Sequence, residues 1–394
     1  MTLSRRAFLE GVAAVSLAAP LLGADSRPRV VVVGAGAFGG WTAFHLRRLG
    51  ADVTLLDAWG PGNSRASSGG ETRVIRAVYG TDRIYVEMVK RSYELWAALD
   101  SMVDEPLYVE TGALWMHRGD DAYVKSSLPV MNDLGFKLEK IELPDAIKRY
   151  PQIRFDGVRS VWLEHRAGAL SARRACGVVR DEFEKAGGRY RIENVTPETK
   201  FDADAVVFAC GPWLGKLFPE VIGDRVRPTR QEVYYFGTPR GSDRYQPGKF
   251  PVWIDFGERI IYGIPDVHGR GFKIADDTRG ELLDPTTADR RPTAPGIAHA
   301  RRLLAERFPE LANAPLVHSE VCQYENSPDG HLIVDKHPTM KNVWIAGGGS
   351  GHGFKLSPAV GEMVAESIVN GKELPAQFKL DRATAKPSTQ FDRQ

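Results

Sequence analysis

Apolar positions along the chain fall into two rhythms. Val30-Val31-Val32-Val33 is an unbroken apolar run closed by Gly34, the pattern of a strand buried on both faces. Phe38, Trp41, Phe44, Leu46 and Leu49 then recur at helical intervals until Gly50 stops them. Val53-Thr54-Leu55-Leu56 repeats the buried-strand pattern and ends on Asp57. A strand, a helix and a strand within about 30 residues have the size of a crossover joining two parallel strands. Residues 203–210, closed by Gly211-Pro212-Trp213, and Val343-Trp344-Ile345-Ala346, which runs into a glycine loop over 347–353, carry the same signature.

The second rhythm lies between these pieces. Glu232-Val-Tyr-Tyr-Phe236, Val252-Trp-Ile-Asp-Phe256 and Arg259-Ile-Ile-Tyr-Gly-Ile264 are alternating or β-branched runs separated by turns, which predicts an antiparallel sheet over 227–275. Helices are predicted over 82–100, 171–187 and 294–308, and mixed strands and helices over 105–160. Ser357-Pro358 opens a last helix through residue 369, with serine as N-cap and proline at the first helical position.

Composition excludes more than it assigns. The chain has 394 residues, 52 Lys+Arg against 50 Asp+Glu, and a net charge of +2, so nothing in bulk charge argues for nucleic acid. Asp289 beside Arg290 and Arg307 near Glu310 read as solvated charge pairs. Three cysteines, Cys176, Cys210 and Cys322, do not make a disulfide framework, and no metal-ligand spacing occurs, so no metal is expected. Residues 1–25 differ from the rest. Arg5-Arg6-Ala7-Phe8-Leu9 precedes a short run rich in Ala and Gly, read as a cleavable export signal of the twin-arginine type rather than a stable membrane span. That reading places the protein outside the cytoplasm, in the periplasm; a disordered tail or a single anchor helix is the alternative.

Gly34-Ala35-Gly36-Ala37-Phe38-Gly39 lies between the first strand and its helix, with Asp57 at the end of the second strand. This is the context a dinucleotide-binding glycine motif requires. The first glycine permits the turn, the second lets backbone approach a pyrophosphate, and the third packs helix on strand. The helix N-terminus offers free N–H groups to the phosphates, and Asp57 is placed to accept hydrogen bonds from ribose hydroxyls. The fold class is therefore α/β with α+β. A Rossmann-type dinucleotide unit (28–105, 160–225 and 320–378) is interleaved with a substrate domain on a mixed, largely antiparallel sheet (106–159 and 226–319). A polar, loose tail follows over 379–394.

The motif does not choose between FAD and NAD. Four separated segments do. Ser68-Gly-Gly-Glu-Thr72-Arg73-Val-Ile-Arg76-Ala-Val-Tyr79-Gly80, Tyr262-Gly-Ile-Pro with Lys273, Cys322-Gln-Tyr324 with Asp329, His331 and Asp335, and Gly349-Ser-Gly351-His352-Gly353-Phe354-Lys355 resemble, in order, segments of monomeric sarcosine oxidase and its relatives. These are FAD enzymes of the glycine oxidase/D-amino acid oxidase superfamily. The resemblance implies FAD contacted by Gly34, Gly36, Phe38, Gly39, Asp57, Ser68, Thr72, Arg73, Gly349, Gly351, His352, Gly353, Phe354 and Lys355, and bonded covalently through Cys322. It implies hydride transfer from an amine to flavin, hydrolysis of the imine, and reduction of O2 by a monomeric enzyme. A dehydrogenase of the same fold passing electrons to a quinone or carrier is the alternative.

Each residue also has a reading of its own. Arg76 and Lys355 are two cations that would clamp a substrate carboxylate, Arg by its planar fork; taken alone, Arg76 reads as an ion-pair partner of Glu71 or Asp57. By resemblance Lys273 stabilises the anion formed when reduced flavin meets oxygen; taken alone, it pairs with Asp276 or Asp277. Cys322 is otherwise an inert buried thiol. Tyr262 and Tyr324 wall the cavity or are ordinary strand tyrosines. The chain departs from those relatives at Asp277 and at Ser68-Gly69, where they carry histidines. An anion at 277 favours an amine more basic or larger than sarcosine.

Overall fold

The computed structural model describes residues 27–382, so the expected export leader and residues 383–394 lie outside the described part. In chain order the strands are β1 (Arg29–Val33), β2 (Asp52–Asp57), β3 (Thr72–Ile75), β4 (Tyr108–Glu110), β5 (Ala113–His117), β6 (Leu138–Ile141), β7 (Ser160–Glu164), β8 (Gly168–Ser171) and β9 (Arg189–Ile192). They continue with β10 (Ala205–Phe208), β11 (Arg227–Phe236), β12 (Val252–Phe256), β13 (Ile260–Ile264), β14 (Phe272–Asp276), β15 (Leu316–Asn326), β16 (Ile333–Lys336) and β17 (Val343–Gly347).

Six strands form one sheet in the order β16-β17-β10-β1-β2-β9, parallel except at β16. Its central strands are buried on both faces, which is why β1, β10 and β17 read as continuous apolar runs. The helices Ala37–Arg48 and Ser357–Asn370 pack against each other beside it. They approach so closely that a Cβ on Gly361 would lie 2.5 Å from the Trp41 carbonyl carbon.

Eight strands form the second sheet, in the order β15-β11-β14-β13-β12-β5-β7-β6. The predicted antiparallel pairing over 227–275 is present, but β11 lies beside β14 rather than β12, and β12 pairs with β5 in parallel. A small sheet, β3-β8-β4, lies apart from both.

Three sequence expectations need correction. Arg307 is not on a solvated face: its guanidinium is 2.6 Å from Asp255, with side chains 3% and 2% exposed, and it also donates to the carbonyls of Arg154 and Asp156. Glu310 pairs with Arg244 instead. Ser357 is not the N-cap, because the tight turn Phe354–Leu356 feeds directly into the helix and leaves no extended residue before it. The tail is not loose at its start: Leu380 N–H bonds Asp335, and Arg382 grips the buried Asp329 at 2.7 and 2.8 Å.

Arg307 joins the helix Ala294–Arg307 to β12 and to the loop at 154–156. Removing Arg307 leaves the buried Asp255 with Arg118 alone, at 2.7 Å, and takes a donor from the carbonyls of Arg154 and Asp156; unmaking such buried hydrogen bonds costs about 1–3 kcal/mol. Arg307→Met should therefore lower the stability measured by denaturant unfolding by that order, whereas Arg291→Met, at an exposed pair with Asp289, should leave it unchanged.

Candidate active site

The carboxyl ends of β1, β2, β10 and β17 open into one cleft of about 300 Å3. Ligands bind at this edge of parallel sheets. Gly34 has φ +102°, and a Cβ there would lie 2.4 Å from the Ala209 carbonyl oxygen; a Cβ on Gly39 would lie 1.8 Å from the Gly34 oxygen. Turn and helix therefore meet at a spacing only glycine allows. Asp57 accepts the Ala35 N–H at 2.7 Å through one oxygen, and the Trp59 and Gly60 N–H groups at 2.8 Å through the other. It ties the two phosphate-side loops together while still lining the cleft.

The residues fit a dinucleotide. The helix Ala37–Arg48 begins without a side-chain cap and without an acid in its first turn, leaving its N–H groups directed at the cleft. Gly36, Phe38, Ser68, Gly349, Gly351, Gly353 and Phe354 line it. The Ser67 hydroxyl and one Glu325 oxygen are buried without a hydrogen-bond partner, and both residues face the same space. A ligand rich in phosphate and hydroxyl oxygens suits such a lining.

A second cavity, of about 90 Å3, adjoins the first; Arg73, Tyr324, Gly351 and Phe354 line both. Its walls are largely apolar, from Val74, Trp115, Ile254, Phe256 and Ile260. Arg76 and Lys355 both reach it, and both are buried. Arg76 donates to the Val78 carbonyl and lies over the rings of Tyr79 at 4.7 Å and Trp115 at 5.4 Å. Lys355 donates to the His352 carbonyl at 2.9 Å and lies 5.2 Å from the centre of the Tyr79 ring. Burial, then the nearby Arg76 charge, pushes the Lys355 ammonium well below its ordinary pKa. Neither ion pair offered as the alternative for Arg76 forms: Glu71 faces Arg173 and Arg270, and Asp57 is taken up by backbone.

His352 faces the second cavity and is absent from the lining of the first. Burial keeps its ring neutral. Nε2 therefore donates to the Gly330 carbonyl at 2.9 Å, and Nδ1 accepts the Tyr79 hydroxyl at 3.0 Å. Tyr262 and Tyr324 wall this cavity, and the Tyr324 hydroxyl donates to Asp277 at 2.5 Å.

Cys322 is on β15, its sulfur 3.2 Å from the Arg73 guanidinium and 3.4 Å from the Ser67 carbonyl. Thr72 supplies its carbonyl to both Arg73 and Lys273. Lys273 is 1% exposed and lines neither cavity. It sits behind Tyr262, 5.6 Å from that ring, with its Nζ 2.9 Å from the Thr72 oxygen. Asp276 pairs with Arg259 and His299, not with Lys273. Burial, then Arg73, lowers the Lys273 pKa to about 7, with Glu320 and Cys322 opposing.

Sequence reasoning misses Tyr79, Trp115, Glu164 and Glu325. Glu164 is buried beside Arg76, accepting the Ala77 N–H and the Trp115 indole N–H. Its signal is weak: an acid ending the apolar stretch Val161-Trp162-Leu163.

The lowered Lys273 pKa has a stability consequence. The unfolded chain binds this proton up to about pH 10.4, the folded chain only up to about 7. The cost to the fold is therefore full below pH 7, shrinks as pH rises, and is gone above the unfolded value. Lys273→Met should raise Tm relative to wild type most at pH 6, with the advantage falling steadily by pH 10; a pH-independent difference would contradict this.

Comparison with known proteins agrees with the site. The pattern of the DAO family, FAD dependent oxidoreductase, matches residues 29–367. Monomeric sarcosine oxidase of Bacillus sp. (strain B-0618) is 31% identical over 92% of this chain and 97% of its own length. Peroxisomal sarcosine oxidase of Mus musculus is 29% identical over 89% of this chain and 93% of its own. The L-proline dehydrogenase structure from P. horikoshii shares the fold, with a TM-score of 0.76, 22% identity, and coverage of 88% of this chain and 94% of that one. The chain belongs to the DAO family of FAD-dependent oxidoreductases and is an FAD-dependent amine oxidoreductase.

Proposed function

We propose that this enzyme oxidises the C–N bond of a small amino acid substituted on nitrogen, gripping the substrate carboxylate between Arg76 and Lys355. The carrying observation is that these two buried cations flank one tyrosine ring in a cavity that adjoins the dinucleotide cleft. Both are held on backbone carbonyls, so they stay available to an incoming anion. The relatives named sarcosine oxidase support the same substrate class.

Held in the cleft by the glycine turn and the residues lining it, FAD would supply the hydride acceptor and the redox link to O2. The chain supplies position and charge. The carboxylate clamp fixes the carbon next to nitrogen, and the apolar walls keep water away. Asp277, held by Tyr324, presents a negative charge to the amine end of the substrate and favours a basic or larger amine. Cys322 is the proposed point of covalent attachment to the flavin 8-methyl carbon, with its sulfur 3.2 Å from the Arg73 guanidinium. Lys273 is the proposed electrostatic partner of oxygen. Its place behind Tyr262, lining neither cavity, favours a second reading in which a quinone or carrier takes the electrons.

One series of measurements tests this. The purified protein should be yellow, and the colour should stay with acid-precipitated wild type but leave Cys322→Ser. An N-methyl amino acid should bleach it anaerobically, and its decarboxylated amine should not. Arg76→Met and Lys355→Met should each raise KM at least tenfold, the scale of a lost charged hydrogen bond. Equal bleaching by the decarboxylated amine would remove the clamp, and slow recolouring in air would select the dehydrogenase.

Export is proposed from the leader alone. Arg5→Lys with Arg6→Lys should hold the folded flavoprotein in the cytoplasm; unchanged fractionation would end the twin-arginine reading.

A further inference from the structure

Glu325 is 9% exposed and lies in the wall of the cofactor cleft, remote from the amine clamp. It follows Tyr324 on β15 and is wedged between two strand ends: the turn after β10 and the loop after β17. A Cβ on Gly211 would lie 3.5 Å from Glu325 Oε2, and one on Gly349 would lie 2.8 Å from Oε1. The carboxyl fits there because Gly349 has no side chain, while the Gly211 distance is ordinary contact. Backbone N–H groups of Gly348 and Gly349 approach it, whereas Oε2 is buried without a partner. The β10 end is also where the glycine turn packs, Gly34 against Ala209 and the Cys210 thiol against the Val33 carbonyl at 3.4 Å. The pyrophosphate of a bound dinucleotide passes this turn.

We propose that Glu325 binds the ribityl–pyrophosphate linker of the cofactor as a neutral acid, donating its Oε2–H to a linker oxygen. This rests on the FAD reading. An ionised carboxylate here would face phosphates of its own sign, and an acceptor-only group could not satisfy a phosphate oxygen. Burial raises the Glu325 pKa to about 7, although the two glycine N–H groups oppose it, so the acid form is available at neutral pH. The titratable groups on the elements packed against it are Cys210, kept protonated by burial and by the nearby Asp57, then His352 and Lys355 beyond β17, both pushed down by burial, with Asp57 itself and Lys216 on the same cleft. Lys216 is engaged by Asp284.

The test is affinity, not turnover. The full-length chain in a Cys322→Ser background, freed of flavin, is titrated with FAD, FMN and riboflavin from pH 5.5 to 9. Circular dichroism and Tm confirm folding of each variant. With Glu325 present, the FAD Kd should rise by up to about tenfold per pH unit once pH passes about 7. Glu325→Gln, a permanent donor, should bind within threefold of the parent at pH 6 and show a flat profile. Glu325→Ala should bind at least tenfold more weakly at pH 6. A loss seen with FAD and FMN but not riboflavin places the acceptor on phosphate; a loss shared by riboflavin places it on the ribityl chain. A Glu325→Gln profile as steep as the parent, or Glu325→Ala binding within twofold, overturns the proposal. Failure of the parent chain to bind any flavin at any pH overturns the FAD reading itself, and this inference with it.

Discussion

The constraint on which the site depends is the burial of clustered positive charge that Glu164, Asp277 and Glu320 offset only in part. Arg76, Lys273 and Lys355 are buried, and Arg73 joins them where the two cavities meet. Their hydrogen bonds go largely to carbonyl oxygens: Val78 for Arg76, Thr72 for Lys273, His352 for Lys355, Thr72 and Ser67 for Arg73. Aromatic faces cover what remains. A carbonyl satisfies donor geometry but does not cancel a charge. The local field therefore stays positive, and an anion entering the cavity gains more than it would in water.

The fold delivers this arrangement through β15. Successive side chains on a strand face opposite ways. Gln323 and Glu325 face the cofactor cleft, Cys322 faces the second cavity, and Tyr324 touches both. Pairing with β11 over ten positions, Arg227↔Asn326 to Phe236↔Leu316, fixes that register, although the strand lies at the sheet edge. One strand thus divides the space between a site for binding a cofactor and a site for chemistry. A one-residue slip would exchange Cys322 and Gln323 between them.

Much of this is legible in the amino-acid sequence. Gly34, Gly39 and Asp57 are constrained by backbone geometry that a motif encodes, and the buried strands β1, β2, β10 and β17 show in their apolar runs. Arg76 is different. Its local sequence suggests a surface ion pair, and only resemblance over distant segments places it in a cavity. Glu325 is not legible at all, because a glutamate in an alternating strand reads as solvent-facing; the glycines that enclose it, Gly211 and Gly349, come from strand ends far away in sequence. Arg307 misleads for the same reason, since its partner Asp255 is on another strand. Periodicity reports which face of an element is apolar. It does not report which polar residue that face accepts.

The choice of cations is itself informative. Each arginine stands beside a lysine whose pKa it depresses: Arg76 beside Lys355, and Arg73 beside Lys273. Arginine holds its proton in any protein environment, whereas a buried lysine can release its own. Two permanent charges side by side in a buried site would be costly, and two neutral groups would offer no grip. Pairing one fixed with one adjustable charge keeps the empty cavity tolerable. It also lets the positive field grow when an anion arrives, because a negative charge near Lys355 raises the pKa that Arg76 and burial have lowered. The same reasoning explains why Lys273 rests on a carbonyl oxygen: a carboxylate there would fix its proton in place and remove the adjustment.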